Sequence, residues 1–167
     1  MNVADLLTDG FGRIGEVVHQ AADGLTAEQL SWQIQDGANS IAWLVWHLTR
    51  VQDDHVAEVA GTEQVWTSGG WNERFGLPLD DSATGYGHSA KEVAQVKVES
   101  AKLLTDYYDA VQEASLKYLS GLTGADLDRV VDDAWDPPVT LGVRLTSVIG
   151  DDLQHAGQAA YLRGLLP

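Results

Sequence analysis

A chain of 167 residues with 44% hydrophobic residues is sized for one domain over 1–167 with a substantial core, which excludes a disordered polypeptide. With 10 Lys and Arg against 25 Asp and Glu, the formal charge is −15; such a surface repels phosphate backbones and anionic lipid and speaks against nucleic-acid or membrane partners. Cysteine is absent, so disulfides, thiolate metal ligands and catalysis through a protein thiol are excluded, and any sulfur chemistry must use the sulfur of a substrate.

The N-terminal stretch has no basic region, compact apolar run or small-residue cleavage site, so a cytoplasmic location is expected. Residues 3–22 place Val3, Leu6, Leu7, Phe11, Ile14, Val17 and Val18 at three- and four-residue spacing, which predicts an amphipathic helix with His19 at its surface near the end. Thr26 and Gln29 have the spacing of a capping box and predict a short helical turn. Asn39 or Ser40 then caps a second long helix over about 40–60. Its broad apolar arc, widened by Trp43 and Trp46, predicts burial on more than one side.

Residues 61–88 are rich in glycine and turn formers yet hold Trp66, Trp71, Phe75 and Tyr86. A link this long is expected to fold over one end of the domain, with Trp71, Phe75 and Tyr86 lining an apolar entrance. A third helix is predicted over 89–120, stopped by Gly121 and Gly124, followed by an irregular link with a turn at 125–129. Pro137 and Pro138 exclude helix there. The last helix is expected from about 141 to 164, with Leu145, Val148, Ile149, Leu153 and Leu162 as core positions. No segment alternates convincingly with period two. The expectation is an all-α, antiparallel four-helix bundle with a long irregular link between its second and third helices.

Asp151 and His155 stand one turn apart on the last helix, beside Val148 and Ala159, while Asp152 falls on another face. His47 lies in the most apolar part of the second helix, on the face of Trp43, Val51 and Asp54. A hydrogen-bonded core histidine and a plain Asp–His surface pair would explain these residues; a divalent cation would satisfy all three at once.

The segments "SIAWLVWHLTRVQDDH" (40–55) and "DDLQHAGQAAYLRG" (151–164) resemble the DinB-like family of four-helix bundles. The resemblance is narrower to the actinobacterial branch with mycothiol-dependent transferases and the N-terminal domain of mycothiol-dependent maleylpyruvate isomerase. It spans nearly the whole chain, including "GLTAEQLSW" (24–32). It implies metal ligation by a histidine of the second helix and a one-turn pair on the last, at His47, Asp151 and His155. Many members carry histidine where this chain has Asp151, and the isomerase branch carries glutamate.

Two histidines and one carboxylate leave coordination positions open, as catalytic zinc sites do, and the same set suits nickel, iron(II) or manganese. Asp54 and Gln158 are expected to orient the imidazoles, and His55 is a weaker ligand candidate. The resemblance thus implies a metal-dependent transferase in which mycothiol attacks a small electrophile. Arg50 and Arg74, scarce cations, and Tyr86 are candidates for holding substrate. Two rival classes are a non-catalytic, stress-related metal-binding bundle and a metal-free homodimer with a Trp-rich interface.

Overall fold

The computed structural model describes residues 1–167 and is mostly helical. Helix α1 (Val3–Ala22) starts on a reciprocal cap between Asn2 and Asp5 and buries Phe11, Ile14, Val18, Ala21 and Ala22. Leu6, expected on the same face, is exposed instead. His19 is at the surface, bridging Asp23 (3.0 Å) and Asp109 of a neighbouring helix (2.9 Å). The Thr26–Gln29 capping box opens α2 (Ala27–Ser31).

Helix α3 (Ile41–Ala60) begins at Ser40, whose hydroxyl accepts from the Trp43 N–H, and ends at Gly61 in the left-handed region (φ 68°). Every residue from Ile41 to Arg50 is buried, so this helix is enclosed along its first half. That enclosure is what the wide apolar arc predicted. His47, Thr49 and Arg50 in this stretch accordingly take partners inside the protein.

The link after α3 contains α4 (Val65–Ser68) and α5 (Trp71–Phe75). Its anchor is Asp53, whose two carboxylate oxygens accept from the Val65 and Trp66 backbone N–H groups at 2.8 Å each and from the Tyr107 hydroxyl at 2.9 Å. Trp66, Trp71 and Phe75 close around Tyr107, with ring centroids 5.1–5.6 Å from it. Trp71 and Phe75 therefore belong to the core and do not line an entrance.

The predicted third helix is two helices: α6 (Ala90–Val93) and α7 (Ala101–Leu119). Between them Val96 and Val98 are buried while Lys97 and Glu99 are exposed, an alternation that suits extended backbone. Ser100 then caps a fresh start by accepting from the Leu103 N–H. A five-residue 3-10 turn (Gly124–Asp128) leads to a hairpin that the sequence reading did not anticipate, β1 (Val130–Asp132) paired antiparallel with β2 (Val139–Thr140). These strands are too short to register as a period-two pattern. Thr140 ends the hairpin and caps α8 (Leu141–Arg163).

Helices α1 and α3 each pack against both α7 and α8, and the four share one apolar core. Leu153, an expected core position of α8, is exposed. No helix is long and apolar enough to cross a membrane.

Candidate metal centre

His47, on the buried stretch of α3, faces Asp151 and His155 of α8, and one ligand atom from each lies within 4.8 Å of the others. The two imidazole centroids are 4.8 Å apart. Each ring is held through Nδ1. His47 Nδ1–H donates to the Thr84 carbonyl at 2.5 Å, and His155 Nδ1–H donates to Gln158 Oε1 at 3.2 Å. Those bonds leave an Nε2 lone pair on each ring. Trp43 stacks on His47 at 4.5 Å and meets His155 edge-on, fixing both ring planes.

Asp151 Oδ1 lies 3.5 Å from His155 Nε2, and its Oδ2 is buried with no hydrogen-bond partner. A buried carboxylate oxygen without a donor is costly unless something cationic approaches it. Two nitrogen lone pairs and this oxygen are a donor set that fits a divalent ion, so the residues present suit a metal.

The protonation balance follows from the same geometry. Burial pushes the His47 pKa down, and His155's charge adds to that, against the pull of the Thr84 carbonyl. The Asp151 carboxylate, 3.5 Å from Nε2, raises the pKa of His155 above its ordinary value by favouring the protonated ring. Burial pushes the Asp151 carboxyl up, but the nearby His155, with the charges of His47 and His55, more than offsets this and holds it below the usual range.

Asp152, the neighbour placed on another face, is more deeply buried than Asp151, with neither oxygen hydrogen-bonded. Burial, with Asp151's charge beside it, pushes its carboxyl well above the usual range. The Asp151–His155 face therefore lies at the edge of the core, and Asp152 points inward.

The remaining candidates divide. Gln158 lies within hydrogen-bond distance of His155 Nδ1 (3.2 Å), whereas Asp54 accepts from Gln64 (2.7 Å) and makes no hydrogen bond to His47. The orienting group for His47 is the Thr84 carbonyl. His55 accepts from Arg144 Nη1 at 3.1 Å and stands outside the trio. Arg50 is fully buried, bonded to the Ala83 carbonyl and Gln64 Oε1, and has no side-chain surface to offer a substrate. Arg74 is stacked on Trp71 at 3.8 Å, away from the trio's cleft. Tyr86 does line that cleft.

The cleft, about 570 Å³, reaches His47 and Asp151 at one end and the hairpin at the other. Sequence reasoning missed Arg144 and Trp135 on its walls. Arg144 sits seven residues before Asp151, two turns along the same face, and that spacing was the available signal. Its guanidinium is already engaged by Glu58, by His55 and, at 3.7 Å, by Asp132.

Gly85 is the other residue missed. It has φ 96°, and a Cβ there would stand 2.5 Å from His47 Nδ1. Gly85→Ala is expected to lift the segment carrying Thr84 and weaken divalent-ion affinity about 10- to 100-fold, the range seen when a ligand histidine loses its orienting partner. Competition titration against a chelating dye reads this directly; an unchanged affinity would show that the link does not position His47.

The mycothiol-S-transferase family model matches residues 7–167. A crystal structure described as the conserved protein of a locus from Enterococcus faecalis is similar to this chain throughout. Its TM-score is 0.92 at 32% sequence identity, covering 99% of this chain and 98% of that one. Comparison with curated proteins gives no match. With a family match over nearly its full length, the chain belongs to the mycothiol S-transferase family, within the DinB-like superfamily.

Proposed function

We propose that the protein is a divalent-metal-dependent transferase that joins mycothiol, or a similar low-molecular-weight thiol, to a small electrophile in detoxification. In this reading residues 1–167 form one antiparallel four-helix bundle whose α3–α8 edge carries the ion, in the cytoplasm. The observation that carries it is the approach of one ligand atom each from His47, Asp151 and His155 to within 4.8 Å of one another beside the cleft, with Asp151 Oδ2 lacking any hydrogen-bond donor. The chain has no thiol of its own, so the nucleophilic sulfur must come with a substrate.

His47, Asp151 and His155 would hold the ion, zinc first and nickel, iron(II) or manganese as alternatives. When bound, the metal supplies positive charge that stabilises a thiolate at neutral pH. The chain does the rest. The Thr84 carbonyl and Gln158 keep both Nδ1 protons in place, so the lone pairs stay aimed at the ion. Trp43 prevents the rings from rotating. In the net reaction the thiol loses its proton to solvent and a carbon–sulfur bond forms. With a halogenated aromatic the carbon–halogen bond breaks and its electron pair departs with the halide; with an epoxide or maleyl double bond the displaced pair stays on the adduct, which takes up one proton.

The test is conjugation of mycothiol to epoxides, maleyl compounds and halogenated aromatics, before and after chelation and with each ion restored. Turnover that disappears with the ion and returns with it is the expected result. A stoichiometric ion without turnover toward any of these would favour a non-catalytic binding bundle. A dimer without an ion would favour an interaction protein.

A further inference from the structure

Two large aromatic side chains stand in solvent at the walls of the cleft: Tyr86, 92% exposed, from the link after α5, and Trp135, 67% exposed, from the hairpin. Leaving such rings uncovered forfeits a large burial gain, and beside a cleft they mark a surface meant to be covered by a ligand. The cleft that holds them also has Val51, Val139, Val143 and Val148 in its lining, beside polar groups such as Ser147 and Asp132. An apolar ring can bury itself against these valines, which offer a polar group no hydrogen bond. From Asp151 to Val143 the helix rises about 12 Å, enough for a ring to lie on the valines while an attached group reaches the trio.

Charge narrows the class further. The cleft is lined by Asp54, Asp132 and Asp151, and its one arginine, Arg144, is already paired with Glu58 and Asp132. Away from the metal trio, an anionic ligand would find no unpaired cationic side chain in the lining.

We propose that Tyr86 and Trp135 form an aromatic rim that selects the electrophile as an uncharged molecule bearing a flat apolar ring, seated on the valines with its reacting carbon toward His47 and Asp151. The inference rests on the transferase reading for the word electrophile, and on the cleft alone for the ring. With an epoxide, the sulfur–carbon bond forms as the ring carbon–oxygen bond opens; the resulting alkoxide takes up one proton, matching the one the thiol released.

Two measurements separate the two readings. The first needs no turnover: affinities of phenylethanediol and propanediol, the unreactive hydrolysis products of styrene oxide and propylene oxide, measured by saturation-transfer NMR on the metal-loaded protein. The phenyl compound is expected to bind about tenfold tighter, and Trp135→Ala to remove most of that preference while Trp135→Phe keeps it. Tyr86→Ala serves as an independent second variant, both side chains being exposed enough to replace without unfolding the protein.

The second measurement is the ratio of kcat/KM for styrene oxide over propylene oxide with mycothiol. Trp135→Ala is expected to lower it about tenfold, and the dianion epoxysuccinate to be the poorest of the three substrates. Absence of a phenyl preference in binding, or its survival in both alanine variants, would overturn the aromatic rim even if conjugation is found. A raised KM for the thiol alone would overturn it too, because the rim would then serve the thiol. A phenyl preference without conjugation of any epoxide would sink the transferase reading and leave the ring site standing.

Discussion

Replacing His155 with alanine is expected to take the protein from about one divalent ion per chain to background, and to lower thiol conjugation at least about 100-fold. The loss should be this steep because only three side chains meet at the site, and His155 provides both an Nε2 lone pair and the nearest polar contact of Asp151. Elemental analysis of protein purified without chelator reads the first effect. Ion content that survives the substitution would reject the assignment of all three residues.

The intact site should also report its protons. An imidazole must be neutral to bind metal, so affinity falls as pH drops through each histidine's pKa. His155 is raised above 6.5 and His47 is lowered below it, while Asp151 is held ionised throughout. The dissociation constant should therefore start to rise, by about tenfold per pH unit, already above pH 6.5, and more steeply once His47 titrates as well. A flat profile down to about pH 5 would exclude imidazole ligation.

The second large effect concerns stability. Arg50→Met is expected to cost about 3–5 kcal/mol, the range for breaking a buried charged pair from one side. The guanidinium donates to the Ala83 carbonyl (3.1 Å), Gln64 Oε1 (2.8 Å) and the Tyr107 hydroxyl (3.4 Å), lies 3.6 Å from Asp53, and covers the Trp66 ring at 4.9 Å. Without it, Asp53 keeps its backbone donors but loses its counter-charge. Burial already pushes that carboxyl up, against the pull of the Val65 and Trp66 N–H groups, Tyr107 and Arg50. For a chain of this size the melting temperature should fall by about 10 °C or more. Urea unfolding gives the free energy. An unchanged midpoint combined with a raised KM would return Arg50 to the role of holding substrate.

Arg50 also shows where sequence reading stops. In an acidic chain a lone arginine on a helix looks like an offered charge, because spacing along one helix does not reveal what a distant link will lay over it. The same limit hides the Thr84 carbonyl: a backbone group has no letter in the sequence, and Asp54, which has the right spacing on α3, has another partner in space.

What periodicity controls was legible. Ser40 begins α3, Thr26 and Gln29 cap α2, and α8 runs close to its expected bounds, each set by contacts within a few residues. The break between α6 and α7 escaped because Val93, Val96 and Val98 fit a helical stripe about as well as an extended one; the cap at Ser100 decides between them. The convergence of His47 with Asp151 and His155 was reached through a resemblance added to spacing, since residues more than a hundred positions apart carry no mutual signal in a single sequence.

The contact between His47 and Thr84 binds two things that are usually separate, the imidazole's proton and the position of an irregular stretch of backbone. If the ion needs that imidazole aimed, its binding energy is shared with residues 83–88, and whatever quiets that backbone tightens the ion by an equal amount. Occupancy of the centre and ordering of residues 83–88 are then thermodynamically coupled, so a partner or ligand that merely presses on that backbone would tune the ion's affinity without approaching it.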